Sequence, residues 1–188
     1  YTLSLHDALP ILIDMNGDAL PDLIGCRLKA TSPAFKYDWV VRLNTGSGFS
    51  SSELKWLDAE QSYYLFNFGG VTMSQSFSLS RRTTLADMNK DGLPDLVYSK
   101  YGGNINFGAQ TLGIDSVYVR YNTGNGFFGT ETKFLDYTQA YSTFENVMYI
   151  YRIGESAMLS DMNGDGLPDL VYNKQRAWVN YGGLKVAA

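Results

Sequence analysis

The chain has 188 residues, 45% of them hydrophobic and 18% charged, with 14 Tyr, 10 Phe and 3 Trp. That composition excludes a disordered polypeptide and supplies ample material for a buried core, and no apolar run reaches the roughly 18–20 residues of a membrane-spanning helix. The formal net charge is −4, nine of the 19 acidic residues fall in three short loops, and no Lys/Arg cluster exceeds the pair Arg81-Arg82, which argues against nucleic acid as a partner.

The opening stretch "YTLSLHDALPI" has no counterpart later in the chain. It resembles the translation of a sequencing-adapter oligonucleotide, and residues 1–11 are read as an artefactual leader. They also lack the basic stretch of a secretory signal. His6, the only histidine, is therefore given no metal-binding or catalytic role. Next comes "DMNGDALPDLI" at 14–24, which returns as "DMNKDGLPDLV" at 87–97 and "DMNGDGLPDLV" at 161–171. The loop starts, Asp14, Asp87 and Asp161, set a repeat of about 73 residues. The units are thus 12–86, 87–160 and a truncated third, 161–188.

Each loop runs into a strand-like segment. The single cysteine, Cys26, lies just after the first of these; it excludes an intrachain disulfide and reads as a small buried hydrophobe. "VRLNTGSGFSSSELKWLD" at 41–58 then matches "VRYNTGNGFFGTETKFLD" at 119–136. Its first residues predict a strand, its Asn and Gly a hairpin with positive φ angles, and the segment holding Trp56 or Phe134 an extended strand. "VTMSQSFSLS" at 71–80 alternates apolar and small polar residues, and "NVMYIYRIG" at 146–154 takes its place in the second unit. "WVNYGG" at 178–183 looks like the start of a third copy of the Val-Arg strand. No stretch has a helical period. The expected fold is all-β, a partial β-propeller of four-stranded blades. A stacked solenoid is the competing architecture, for which 73 residues make a long coil. Two units and a piece cannot close a ring, so further blades are expected beyond this chain.

The acidic loops carry the chemistry. In the third, Asp161, Asn163, Asp165 and Asp169 occupy positions 1, 3, 5 and 9, and Leu167 offers a backbone carbonyl at position 7. Alternate oxygens on a tight loop suit Ca²⁺, which takes six to eight, better than Mg²⁺ with its strict octahedron. The same set is Asp87, Asn89, Asp91, Leu93 and Asp95 in the second loop, and Asp14, Asn16, Asp18, Leu20 and Asp22 in the first. Gly166 and Gly92 at position 6 permit the sharp turn; Ala19 departs from that pattern and predicts a weaker or distorted site. An EF-hand is excluded, because position 12 is Gly25, Tyr98 or Tyr172 instead of Glu and the flank reads as a strand. The competing reading is a metal-free turn in which Asp and Asn side chains bond to the backbone.

"DMNGDGLPDLV" resembles the calcium loop of FG-GAP/VCBS repeats, the blades of integrin-α-type β-propellers, and the likeness covers nearly all of residues 12–188. Paired with the Asn-Thr-Gly-x-Gly-Phe turn, it is similar to the propeller regions in the B component of insecticidal toxin complexes and in RHS-type virulence proteins. The resemblance implies up to three Ca²⁺ ions, one per loop. It further implies a secreted or surface-exposed bacterial protein, in which this segment is a scaffold contacting a protein partner or the remaining blades. Glycan binding is the alternative, with Tyr63, Tyr64, Tyr101, Tyr141 and Tyr149 as stacking platforms. An enzyme is not expected: the chain offers little acid–base equipment beyond Arg120 and Tyr121.

Overall fold

Each acidic loop is bracketed by two strands that pair with one another. The computed structural model describes residues 11–31, 35–68, 71–76, 83–107, 110–136, 138, 141–144, 147–150, 157–172, 177–180 and 183–186. Strand β1 (Ile11–Ile13) runs antiparallel to β2 (Asp22–Ala30), with Ile11 opposite Ile24 and Ile13 opposite Asp22. β3 (Lys36–Arg42) and β4 (Leu54–Leu57) complete a four-stranded meander in the order β1-β2-β3-β4. A single 3₁₀ turn at Ala59–Gln61, capped by Asp58, leads to the hairpin of β5 (Tyr63–Phe68) and β6 (Val71–Ser76).

The second sheet repeats the meander with β7 (Thr83–Ala86), β8 (Asp95–Phe107), β9 (Gln110–Arg120) and β10 (Thr132–Leu135). Beyond it lie β11 (Tyr141–Phe144) and β12 (Val147–Ile150). The third loop joins β13 (Ala157–Ser160) to β14 (Asp169–Tyr172), and β15 (Ala177–Asn180) with β16 (Gly183–Val186) extends the β11-β12 pair. The chain is therefore all-β and antiparallel, as expected. Hydrogen bonding places the strand entering a loop in the same sheet as the strand leaving it. The first sheet thus spans 11–57 and the second 83–135, a different phase from the loop-to-loop units. Ile11 belongs to β1, while residues 1–10, His6 among them, lie outside the described residues.

Alternation along the strands gives each sheet two faces. Met15, Ile24, Trp39, Val41, Trp56 and Leu57 of the first sheet form one buried cluster with Leu96, Tyr98 and Phe127 of the second. The opposite face of the second sheet packs Val97, Val117 and Val119 with Met88 against Ala157, Leu159 and Leu170 around the third loop. Burying each such side chain stabilises the fold by roughly 1.5–3 kcal/mol. Trp39 meets Phe127 edge-on, with ring centroids 6.2 Å apart. Cys26 is partly buried and packed against the first cluster.

The Asn-Thr-Gly turns do more than reverse the chain. Positive φ falls on Gly46, Gly48, Gly124 and Gly126 and not on the asparagines, so the expectation that Asn shares it is corrected. Asn122 instead bonds across the sheets. Its amide donates to the Met15 carbonyl (2.8 Å) and the Pro94 carbonyl (3.3 Å), and its oxygen accepts from Trp56 Nε1 (3.2 Å) and Gly124 N (2.9 Å). A backbone bond from Phe127 N to the Trp56 carbonyl, 3.0 Å, runs beside it. Removing this buried amide orphans the Trp56 N–H and the Met15 carbonyl, each at about 1–3 kcal/mol. Asn122→Ala is expected to destabilise the chain by at least about 2 kcal/mol, and Asn44→Ala by clearly less. Urea unfolding of both variants checks this.

Candidate functional site

The three loops adopt one backbone. Position 4 is left-handed in each, at Gly17 (φ 81°), Lys90 (φ 63°) and Gly164 (φ 77°). So is position 6, at Ala19 (φ 66°), Gly92 (φ 85°) and Gly166 (φ 81°). The strain expected at Ala19 is present, and Lys90 carries a second instance at a position the motif reading did not single out. Each non-glycine residue held there costs about 1–2 kcal/mol.

Side chains of positions 1, 3 and 5 close the loop on itself. Asp14 accepts from the N–H groups of Asn16, Gly17 and Ala19 at 2.7–3.2 Å. The Asn16 amide donates to Asp18 (3.0 Å), the Asn16 oxygen accepts from Asp18 N (3.1 Å), and Asp18 accepts from Leu20 N (2.9 Å). Asp87, Asn89 and Asp91 in the second loop, and Asp161, Asn163 and Asp165 in the third, repeat the arrangement. These are the Asx-type bonds of the metal-free reading. They also gather the oxygens of positions 1, 3 and 5 around one turn. Burial pushes the Asp14 carboxyl up, but the N–H groups of Ala19, Gly17, Asn16 and Asp18 outweigh it and hold it below its ordinary range. Asp165 is lowered by the Leu167 N–H and the Asn163 side chain.

Position 9 has another duty. Asp22 is fully buried; one oxygen accepts from Met15 N (2.9 Å) and the other from Asn44 N (2.8 Å). Asp95 likewise holds Met88 N (2.9 Å) and Asn122 N (2.8 Å), and Asp169 holds Met162 N (2.9 Å). This carboxylate ties loop to hairpin. Burial raises the Asp95 carboxyl despite these bonds, and the charges of Asp91 and Asp87 add to the rise.

The donors for a cation are all hard oxygens: three carboxylates, an Asn amide and, at Leu20, Leu93 and Leu167, a carbonyl. No group of three or more His, Cys, Asp or Glu side chains stands ready to hold a metal among the described residues. The amide and carbonyl fall outside such a grouping, and the ninth-position oxygens face backbone N–H groups. Each carboxylate oxygen has more than one lone pair, and crowded charge of one sign is what a divalent ion relieves. The donor chemistry fits Ca²⁺.

The loops also lie side by side. A Cβ at Gly17 would sit 3.2 Å from Leu93 Cδ2, and one at Gly166 would sit 3.5 Å from Lys90 Cε.

Away from the loops, the repeat holds an ion network that the sequence reading missed. Glu53 pairs with Arg27 (3.0 Å) and Arg42 (3.1 Å), and Glu131 pairs with Lys100 and Arg120 in the same relation, with Tyr98 donating to it. The signal was the Arg and Glu shared by the two aligned segments. Burial opposes the charge on Glu131, but the hydrogen bonds from Lys100 and Tyr98 and the charges of Lys100 and Arg120 hold it below its ordinary value. Arg120 also donates to the carbonyls of Phe128 (3.1 Å) and Gly129. Tyr121 packs with the cluster on the other face, so the two do not converge as a catalytic pair. Tyr101 is half-buried on β8; Tyr63, Tyr64, Tyr141 and Tyr149 lie outside the described side chains.

No family model matches the chain. A T-cell immunomodulatory protein homolog from Plasmodium falciparum (isolate 3D7) is 25% identical to it over 171 residues, which is 91% of this chain and 19% of that protein. The chain thus spans about a fifth of that relative's length. No solved structure matches it.

Ala19→Gly is expected to stabilise the chain by about 0.5–1 kcal/mol, the relief at a left-handed position less the greater freedom of glycine when unfolded; Gly92→Ala has the opposite sign. Denaturant midpoints measure both. Because the Glu131 pKa is depressed, its contribution to stability is complete above its ordinary value of 4.5 and is lost as pH falls through the folded value. Unfolding curves recorded down through pH 3 are expected to lose part of that acid slope in Glu131→Gln.

Proposed function

We propose that this chain is part of a calcium-stabilised β-propeller that serves a larger secreted or surface-exposed protein as a scaffold and interaction module. The observation that carries this reading is the threefold recurrence of one acidic loop, with the same backbone, between the paired strands β1-β2, β7-β8 and β13-β14. Positions 1, 3 and 5, with the carbonyl at position 7, would hold one Ca²⁺ per loop; the ninth-position carboxylate, counted among the ligands in the sequence motif, is committed to backbone N–H groups instead. Bound there, the ion supplies charge neutralisation. The chain's own contribution is to preform the loop through Asx bonds and to anchor it through the ninth-position carboxylate. Two meanders packed face to face support blades of a propeller. The network around Glu131 and the core packing of Tyr121 favour a structural role over catalysis.

Thermal unfolding in EDTA and across a calcium titration, with magnesium as control, tests the reading. At about 100 times Kd, calcium is expected to add roughly 2.7 kcal/mol per independent site. A flat response from folded protein would make the loops metal-free turns. Asp91→Asn is expected to remove the second loop's share of the gain while leaving stability in EDTA nearly unchanged. Asp95→Asn is expected to lower stability in EDTA as well, because it disturbs the clamp on Met88 and Asn122.

A further inference from the structure

The loops meet in a fixed relation, with position 4 of one facing positions 6 and 7 of the next. At the first junction, a Cβ added at Gly17 (position 4) would sit 3.2 Å from Cδ2 of Leu93 (position 7 of the second loop). At the second junction position 4 is Lys90, and its side chain lies along Gly166, position 6 of the third loop. A Cβ at Gly166 would stand 3.5 Å from Lys90 Cε and 3.9 Å from Nζ. Core packing holds this relation, because Met88 and Val97 beside the second loop pack with Ala157, Leu159 and Leu170 beside the third.

Lysine is strained at this place. Its φ is 63°, where the first and third loops have glycine at 81° and 77°, and a strained residue points to a use for its side chain. That side chain is exposed, so burial does not account for it. Its charge falls one residue from Asp165, at position 5 of the third loop. The Leu167 N–H and the Asn163 side chain hold that carboxyl down, and the Lys90 charge acts in the same direction. At the first junction glycine brings no charge to the equivalent place.

We propose that Lys90 sets the calcium affinity of the third loop: its ammonium, carried by the second loop, partly neutralises Asp165 and repels a divalent ion bound beside it. The third loop, with Gly164 and Gly166 at both left-handed positions, is therefore a weaker calcium site than its own residues dictate. Its ligands are unchanged, and Lys90 tunes them from the neighbouring loop. The inference rests on the calcium reading of the loops. A unit charge within about 8 Å of a divalent ion at a water-facing site shifts its affinity by roughly 3–10-fold, and salt screens the effect.

The test is calorimetric titration of the full chain with calcium in two backgrounds. Asp18→Asn with Asp91→Asn leaves the third loop's carboxylates intact, and Asp18→Asn with Asp165→Asn leaves the second's. In the first background, Lys90→Gln is expected to lower Kd by roughly 3–10-fold at about 20 mM KCl, and the gap is expected to shrink at about 500 mM. Lys90→Arg keeps the charge and is expected to keep the parent Kd. Both substitutions retain a side chain at the left-handed position, so backbone strain is common to them. In the second background, Lys90→Gln is expected to move Kd by clearly less. In the otherwise unmodified chain, which needs no altered ligand, Lys90→Gln is expected to shift the calcium midpoint of thermal stabilisation to lower concentration and Lys90→Arg to leave it in place. An unchanged Kd in the first background, an arginine that shifts it as far as glutamine, or a larger shift in the second background overturns the proposal. So does a third loop that binds no calcium when the second does. Calcium heat with equal Kd values rejects the role of Lys90 alone; no calcium heat in any chain, the unmodified one included, rejects the calcium reading and the role of Lys90 with it.

Discussion

A buried carboxylate at the ninth loop position holds the unit together. Asp22 and Asp95 are fully buried, and each oxygen accepts a backbone N–H, one from the loop's second residue and one from the Asn that opens the hairpin after the third strand. Those N–H groups lie where the ladders cannot reach them, and an unpaired buried donor costs about 1–3 kcal/mol. One side chain thereby fixes loop, second strand and hairpin relative to one another. The raised Asp95 carboxyl reflects what burying it costs.

The sheets associate through a second polar device inside an apolar interface. Hydrophobic packing between Trp39, Val41, Leu96 and Phe127 supplies the driving force without choosing a register. The Asn122 amide adds direction, because its four bonds are met only when Trp56 and Met15 arrive together. Asn122 is also the residue whose N–H the Asp95 carboxylate holds. The clamp within a sheet and the latch between sheets therefore share one residue, and loop geometry passes directly into the stacking of neighbouring sheets.

The loops themselves combine strain with concentrated charge. Ala19 and Lys90 occupy left-handed positions that glycine fills in the sister loops. Backbone N–H groups offset the charge at positions 1 and 5, which is why Asp14 and Asp165 are lowered while Asp95 rises. A loop organised in this way keeps its shape from its own hydrogen bonds, and a bound cation would act on charge more than on shape.

The sequence by itself determined the all-β class, the repeat, the hairpin turns and the loop positions. These rest on local rules: period-two alternation, glycine at positive φ, and acidic residues spaced two apart. Tertiary structure decided which strands share a sheet, that Asp22, Asp95 and Asp169 clamp backbone, and that Asn122 bridges two sheets where Asn44 does not. It also brought Glu131 to Lys100 and Arg120 from separate strands. The motif reads identically at positions 1 and 9, yet in the first two loops one side chain turns into the loop and the other into the core. Nothing in the spacing of the residues distinguishes them, because burial and partner depend on atoms that lie far away in the chain and meet only when the sheets pack.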